Sequence, residues 1–243
     1  MSERGSTEVR GPSDYRLGGT ACSRRKRVTT ENLQFSSERA FFLLYKEALE
    51  RDHVLLSEVV AAIDAVLTRY NTTVWENRFI VGGVVEQIIG ASARDLGLDV
   101  QNAGKQNQGY DLELDGDNGA GISIKGVFAT TNGMHNLVNV RTSDPDRDLR
   151  ERWTTATIFV MSEVGIGYTD PHFGAEFLNP TGDALQISGR GLKQWWDDHP
   201  EWLIRAPIPR KPKGPAVRVA SDAVSFDIFS DFDRLRRSWS AEI

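Results

Sequence analysis

The residue types that could do chemistry together sit in three places: Glu86, then Tyr110-Asp111-Leu112-Glu113-Leu114, then Ile122-Ser123-Ile124-Lys125-Gly126. Around the last two, residues 110–115 and 120–128 alternate apolar and polar side chains, the mark of half-buried strands. Gly116-Asp117-Asn118-Gly119 between them is turn chemistry. Paired symmetrically about Asn118, the strands set Asp111 opposite Lys125 and Glu113 opposite Ser123, with Leu112 and Leu114 facing Ile124 and Ile122. Moving the turn by one whole residue keeps that sorting, because every partner then changes by two. A carboxylate and a lysine on one sheet face, with the Ile124 carbonyl between them, suit phosphodiester hydrolysis. That reaction needs a hard divalent cation held by oxygen atoms and a cation or base beside the attacking water. Glu86 precedes the hairpin and is the carboxylate placed to complete or orient that oxygen set.

The flanking elements must hold these groups. Helical spacing runs through Phe41, Phe42, Leu44, Tyr45, Ala48 and Leu49, then through Leu55, Val59, Ile63, Val66 and Leu67, with Ser36 and Ser37 as N-caps and Asn71-Thr72-Thr73 as the stop. A further helix is predicted over 75–96, burying Phe79, Ile80, Val84, Ile88 and Ile89 and closed by Gly97. Short strands are predicted at 98–101, 157–162 and 165–169, a helix at 191–198, and an extended basic, proline-rich connection over 207–215. Residues 226–239 have near-helical spacing and pack back on the core. This order predicts an α/β domain with a central mixed β-sheet flanked by helices and an N-terminal helical segment. Residues 1–37, carrying Arg24-Arg25-Lys26-Arg27, read as a flexible basic tail. Residues 38–243 read as one domain with a helical segment (38–96), a sheet core (97–170) and a C-terminal extension (171–243).

Composition closes off other chemistries. The 243 residues are 40% hydrophobic and 26% charged, enough for one sizeable core. No run approaches the ~18 apolar residues of a membrane span, and the polar N-terminus lacks a secretory pattern. Cys22 is the single cysteine, which excludes an internal disulfide and a Cys-cluster zinc site. The expectation is a soluble, cytoplasmic protein. A net charge of −5 argues against a general nucleic-acid coating protein while leaving room for a local basic groove. His53, His135, His172 and His199 show no metal-helix spacing, and His135, near the hairpin's exit, is the one to follow. P-loop, dinucleotide and G-x-S-x-G patterns are all missing. Trp195, Trp196 and Trp202 read as core rather than base-stacking residues.

The chain resembles the PD-(D/E)xK nuclease superfamily, and within it the type II restriction endonucleases, over residues 75–130. Asp111 matches the metal-binding Asp, Lys125 the catalytic Lys, Glu86 the helical Glu, and Ile124 the residue whose carbonyl can bind metal. Tyr110 stands where the family often has Pro, and Ser123 where it usually has an acidic residue. Some members carry Ser there, with the carboxylate supplied from a helix; Glu86 is the candidate and Glu113 the second. The resemblance implies a restriction-endonuclease-like core, with Asp111, Lys125, Glu86 and Ser123 catalytic and Asp111, Glu86 and Ile124 on Mg²⁺.

It also implies double-stranded DNA as substrate, read by side chains near the hairpin. Thr130, Thr131, Asn132, Asn136, Asn139 and Arg141 follow the second strand, and Lys105, Gln106 and Gln108 precede Asp111. Amides and Arg are the side chains that read base edges in the major groove. The expected function is Mg²⁺-dependent, site-specific cleavage by a homodimer, since two-fold symmetry suits cutting both strands of a palindrome. The alternatives are a repair or recombination nuclease of the same fold and a non-catalytic DNA-binding protein.

Overall fold

The computed structural model describes residues 34–70, 75–103, 109–114, 119–139, 153–181, 184–210 and 221–240. The first apolar run forms helix α1 (Ser36–Arg51) and the second α2 (His53–Arg69). Asp52 separates them: its backbone leaves the helical region and its carboxylate accepts from the Leu55 amide at 3.0 Å, capping α2. The start of α1 differs from expectation. Its N-cap is Phe35, left-handed at φ 62° without a side-chain cap, and Ser36 and Ser37 fall inside the first turn. Phe35 is buried edge-on against the His172 ring, so residues 34–37 belong to the folded domain rather than the tail. The expected stop at Asn71–Thr73 lies outside the described residues, and Tyr70 ends α2.

Helix α3 (Trp75–Asp95) buries Ile80, Val84, Ile88 and Ile89, as the spacing predicts, while the side chain of the expected Phe79 lies outside the described set. It ends as expected at Gly97, whose φ of 78° suits a residue without Cβ. The Gly97 amide donates to the Arg94 carbonyl and the Leu98 amide to the Ala93 carbonyl, a Schellman close.

The strands are β1 (Val100–Asn102), β2 (Leu112–Leu114), β3 (Gly121–Val127), β4 (Met134–Asn139), β5 (Ala156–Met161), β6 (Gly165–Thr169), β7 (Leu178–Thr181), β8 (Ala184–Ser188) and β9 (Leu203–Arg205). A six-stranded sheet runs β1-β2-β3-β5-β6-β9, and it is mixed because β3 and β5 are parallel while the other pairs are antiparallel. Every residue of β5 and β6 is buried, which accounts for their near-continuous apolar sequence. Helix α3 packs over the face carrying Leu112 and Ile122. On the row Lys125–Phe159–Gly167 the sheet is covered by α5 (Gly189–Asp198), whose Trp196 lies over Gly167 and donates from Nε1 to the Tyr168 carbonyl at 2.8 Å. Trp196 and Trp202 are buried, and Trp195 packs on Phe173, so the tryptophans are core.

Strands β4, β8 and β7 form a second antiparallel sheet that the sequence pattern did not suggest. Residues 134–139 look like a polar loop because Asn is a poor strand former, and pairing with β8 overrides that preference. The short helix α4 (Pro171–Gly174) is capped by Asp170, which is fully buried and bound by Arg39 at 2.7 Å, fixing α1 to the end of β6. The last stretch forms two helices, α6 (Ser221–Phe229) and α7 (Asp233–Ser240), which pack on α3 as expected. Arg234 bridges Asp52 and Asp95 to hold them there. Among the described residues no helix is long and apolar enough to cross a membrane.

Candidate active site at the end of the β2–β3 hairpin

The hairpin register centres one residue earlier than the symmetric expectation. Leu112 pairs with Ile122 and Glu113 with Gly121, so Asp111 lies across from Ser123 instead of Lys125, and Glu113 does not face Ser123. The sorting of faces survives, as a period of two requires. Leu112, Leu114, Ile122 and Ile124 are buried, while Asp111, Ser123 and Lys125 are half-buried and Glu113 is exposed. Tyr110 has a structural use: its ring occupies the space that a Cβ on Gly121 would need. The aromatic ring thus covers the glycine across the strands and holds the bend from which Asp111 departs.

Asp111 stands just before β2 and bonds to three consecutive residues of β3. Its backbone amide donates to the Ile122 carbonyl at 3.0 Å, and its Oδ2 accepts from Ser123 Oγ at 3.0 Å and from the Ile124 amide at 2.6 Å. In an extended strand the N–H and C=O of one residue point to the same edge, so the Ile124 carbonyl is also directed to the Asp111 side. Ser123 holds Asp111 in orientation through its hydroxyl. The geometry does not make Ser123 a replacement for the missing carboxylate.

Glu86 comes from α3, between the buried Val85 and the buried Ile88. Burial first, and then the negative charge of Asp111, push its carboxyl up to about 7, with Lys125 acting in the opposite sense. The three groups therefore share one electrostatic neighbourhood. Lys125 forms no ion pair with either carboxylate, which distinguishes the arrangement from an ordinary cross-strand salt bridge. Glu113 lies apart, on the exposed side of β2 between Gln101 and Gly121.

A cavity of about 560 Å³ opens beside these groups, lined among others by Glu86, Ile124, Lys125, Thr130, His135 and Asn136. Of the residues expected to meet DNA, Thr130 and Asn136 are exposed on its wall. Asn132 is exposed and accepts from Lys193 Nζ at 2.9 Å. Thr131 is a correction: its side chain is buried under the turn into β4 and cannot reach a base edge. Asn139 closes β4, with its side chain outside the described set, and Lys105, Gln106, Gln108 and Arg141 lie outside the described residues altogether. His135 is half-buried, and burial pulls its pKa below the usual histidine value despite a bond to the Thr131 backbone. Its Nε2 is buried against Gly189 with no partner among the described residues, so the ring shapes the wall. Pattern reasoning missed Lys193 and Gln186, which reach this region from about 50 residues further along the chain.

Among the described residues, no three His, Cys, Asp or Glu side chains converge in a way that could hold a metal ion. The donors at the hairpin are instead two carboxylates and a strand carbonyl, all hard oxygen atoms of the kind that suits Mg²⁺. Set against protein-family models, curated proteins and solved structures, the chain matches none of them.

Proposed function

We propose that this protein is a Mg²⁺-dependent endonuclease of double-stranded DNA, of the type II restriction class, with a restriction-endonuclease-like core. The observation that carries the reading is that Glu86 feels the charges of both Asp111 and Lys125 at one end of the hairpin, with Lys125 in no ion pair among the described residues. In this reading Asp111, Glu86 and the Ile124 carbonyl hold the metal. When bound, Mg²⁺ supplies Lewis-acid stabilisation of charge at the phosphate.

The remaining work belongs to the chain. Ser123 and the Ile124 amide hold the Asp111 carboxylate against rotation. Glu86 balances the oxygen set from the helix side. Lys125 places a positive charge on the cavity wall, where water and the scissile phosphate would meet. Two copies related by a two-fold axis would cut both strands of a palindromic site inside the cell.

The test is direct: incubate purified protein with unmethylated phage DNA and Mg²⁺, then sequence the fragment ends. Discrete fragments with a common end sequence support the proposal. No cleavage with Mg²⁺ or Mn²⁺ rejects it and leaves a non-catalytic DNA-binding protein.

A further inference from the structure

The second sheet places three amide side chains in a row that crosses its strands. Asn136 of β4 pairs with Gln186 of β8, which pairs with Asn179 of β7. Leu185 and Ile187, the neighbours of Gln186, are fully buried, so the strand alternation turns the amides to the other face. Asn136 and Asn179 are exposed, and Gln186 Nε2 donates to Asn136 Oδ1 at 2.8 Å.

We infer that this face is the base-reading surface for duplex DNA, with Asn136, Gln186 and Asn179 offering hydrogen bonds to base edges in the major groove. The inference rests on the nuclease reading above and adds the residues that would set its specificity. Four physical points support it. Asn is depleted in strands, so the row is not what sheet formation selects. The Gln186–Asn136 bond orders two amides in advance, which lowers the entropy lost on contact. Three strands at about 4.8 Å spacing span roughly 10 Å, close to the ~12 Å width of the major groove.

The fourth point is charge and continuity. Helix α5 follows β8 directly and carries the exposed Arg190 and the half-buried Lys193, with Lys193 tied to Asn132 in the turn before β4. These cations complement phosphates flanking a groove. Asn136 and Thr130 line the same cavity as Glu86 and Lys125, so a duplex on the amide row extends its backbone toward the carboxylates.

The experiment selects sequences from a random duplex pool with wild-type protein in Ca²⁺, then repeats the selection with Gln186→Ala, Asn136→Ala and Asn179→Ala. The expected result is a defined sequence for wild type. Each variant loses about 10- to 100-fold preference at one base pair, with affinity for random duplex nearly unchanged. Gln186→Glu keeps the shape but only accepts hydrogen bonds, and it should move that preference from adenine toward cytosine. Folding of each variant is checked by its thermal melt, and Gln186→Glu serves where an alanine variant fails. Unchanged preferences in folded variants overturn the inference, as does a wild type that selects no sequence. Cleavage with Mg²⁺ is scored separately: cutting without sequence preference leaves the nuclease standing and removes this face, whereas selection without cutting does the reverse.

Discussion

Oδ2 of Asp111 lies 2.6 Å from the amide nitrogen of Ile124, so a carboxylate takes over the edge of β3 where β2 falls short. The same oxygen accepts from Ser123 Oγ. Asp111 therefore has a structural duty and a proposed chemical one, and two substitutions separate them. Asp111→Asn keeps an acceptor for the Ile124 amide and removes the charge. It should melt within a few degrees of wild type while losing Mg²⁺-dependent cleavage, because a neutral amide is a poor ligand for a hard dication. Asp111→Ala leaves the amide unpaired and should also cost about 1–3 kcal/mol in urea unfolding.

Lys125→Ala should abolish cleavage and leave both the melt and duplex binding nearly unchanged. The side chain is half-buried on a cavity wall and forms no ion pair among the described residues. A loss of about 10²-fold or more in single-turnover rate is the scale for removing a charge aimed at the transition state. A variant cutting near the wild-type rate removes Lys125 from the mechanism.

Glu86 makes the metal-free protein lose stability as pH rises from about 4.5 to about 7. Its folded pKa, about 7, lies above the unfolded value near 4.5, so the protonated form is favoured in the fold. Its contribution to stability is complete below about 4.5 and is lost as pH rises through about 7. Glu86→Gln should therefore flatten the decline, and at pH 8 without metal the variant should be more stable by about 3 kcal/mol. Urea unfolding at pH 5 and pH 8 for both proteins measures this, and equal pH profiles would contradict the proposed burial of the carboxyl.

Asp170→Asn tests the anchor of α1. The fully buried carboxylate binds Arg39, accepts from Tyr168 and caps the amides of His172 and Phe173. Breaking one side of such a pair costs about 3–5 kcal/mol. Equilibrium unfolding of Asp170→Asn, Arg39→Met and the double variant should give a double-variant cost well below the sum of the singles.

Local pattern made the hairpin legible. Leu112 and Ile122 share a buried face because strand alternation leaves one choice, and Glu86 turns inward because Val85 and Ile88 flank it. The turn centres one residue before Asn118, which moves every pairing by two residues, and a period of two cannot distinguish one centre from the next. The second sheet was not legible, since Met134–Asn139 gains its partner from Ala184–Ser188 and carries poor strand formers on its exposed side. Thr131 was misassigned for the same reason: a polar residue in a polar stretch gives no sign that a turn will bury it.

The central claim is that the second carboxylate comes from α3, and cleavage rates of Glu86→Ala, Glu113→Ala and Ser123→Ala beside Asp111→Ala test it most directly. Glu86 lines the cavity and feels the charges of Asp111 and Lys125, whereas Glu113 is exposed, opposite Gly121, and is not part of the cavity lining. Glu86→Ala and Asp111→Ala should lose activity to a similar degree, by about 10²-fold or more. Glu113→Ala and Ser123→Ala should lose about tenfold or less, the scale of a ~1 kcal/mol polar pair. An inactive Glu113→Ala beside an active Glu86→Ala would contradict the claim.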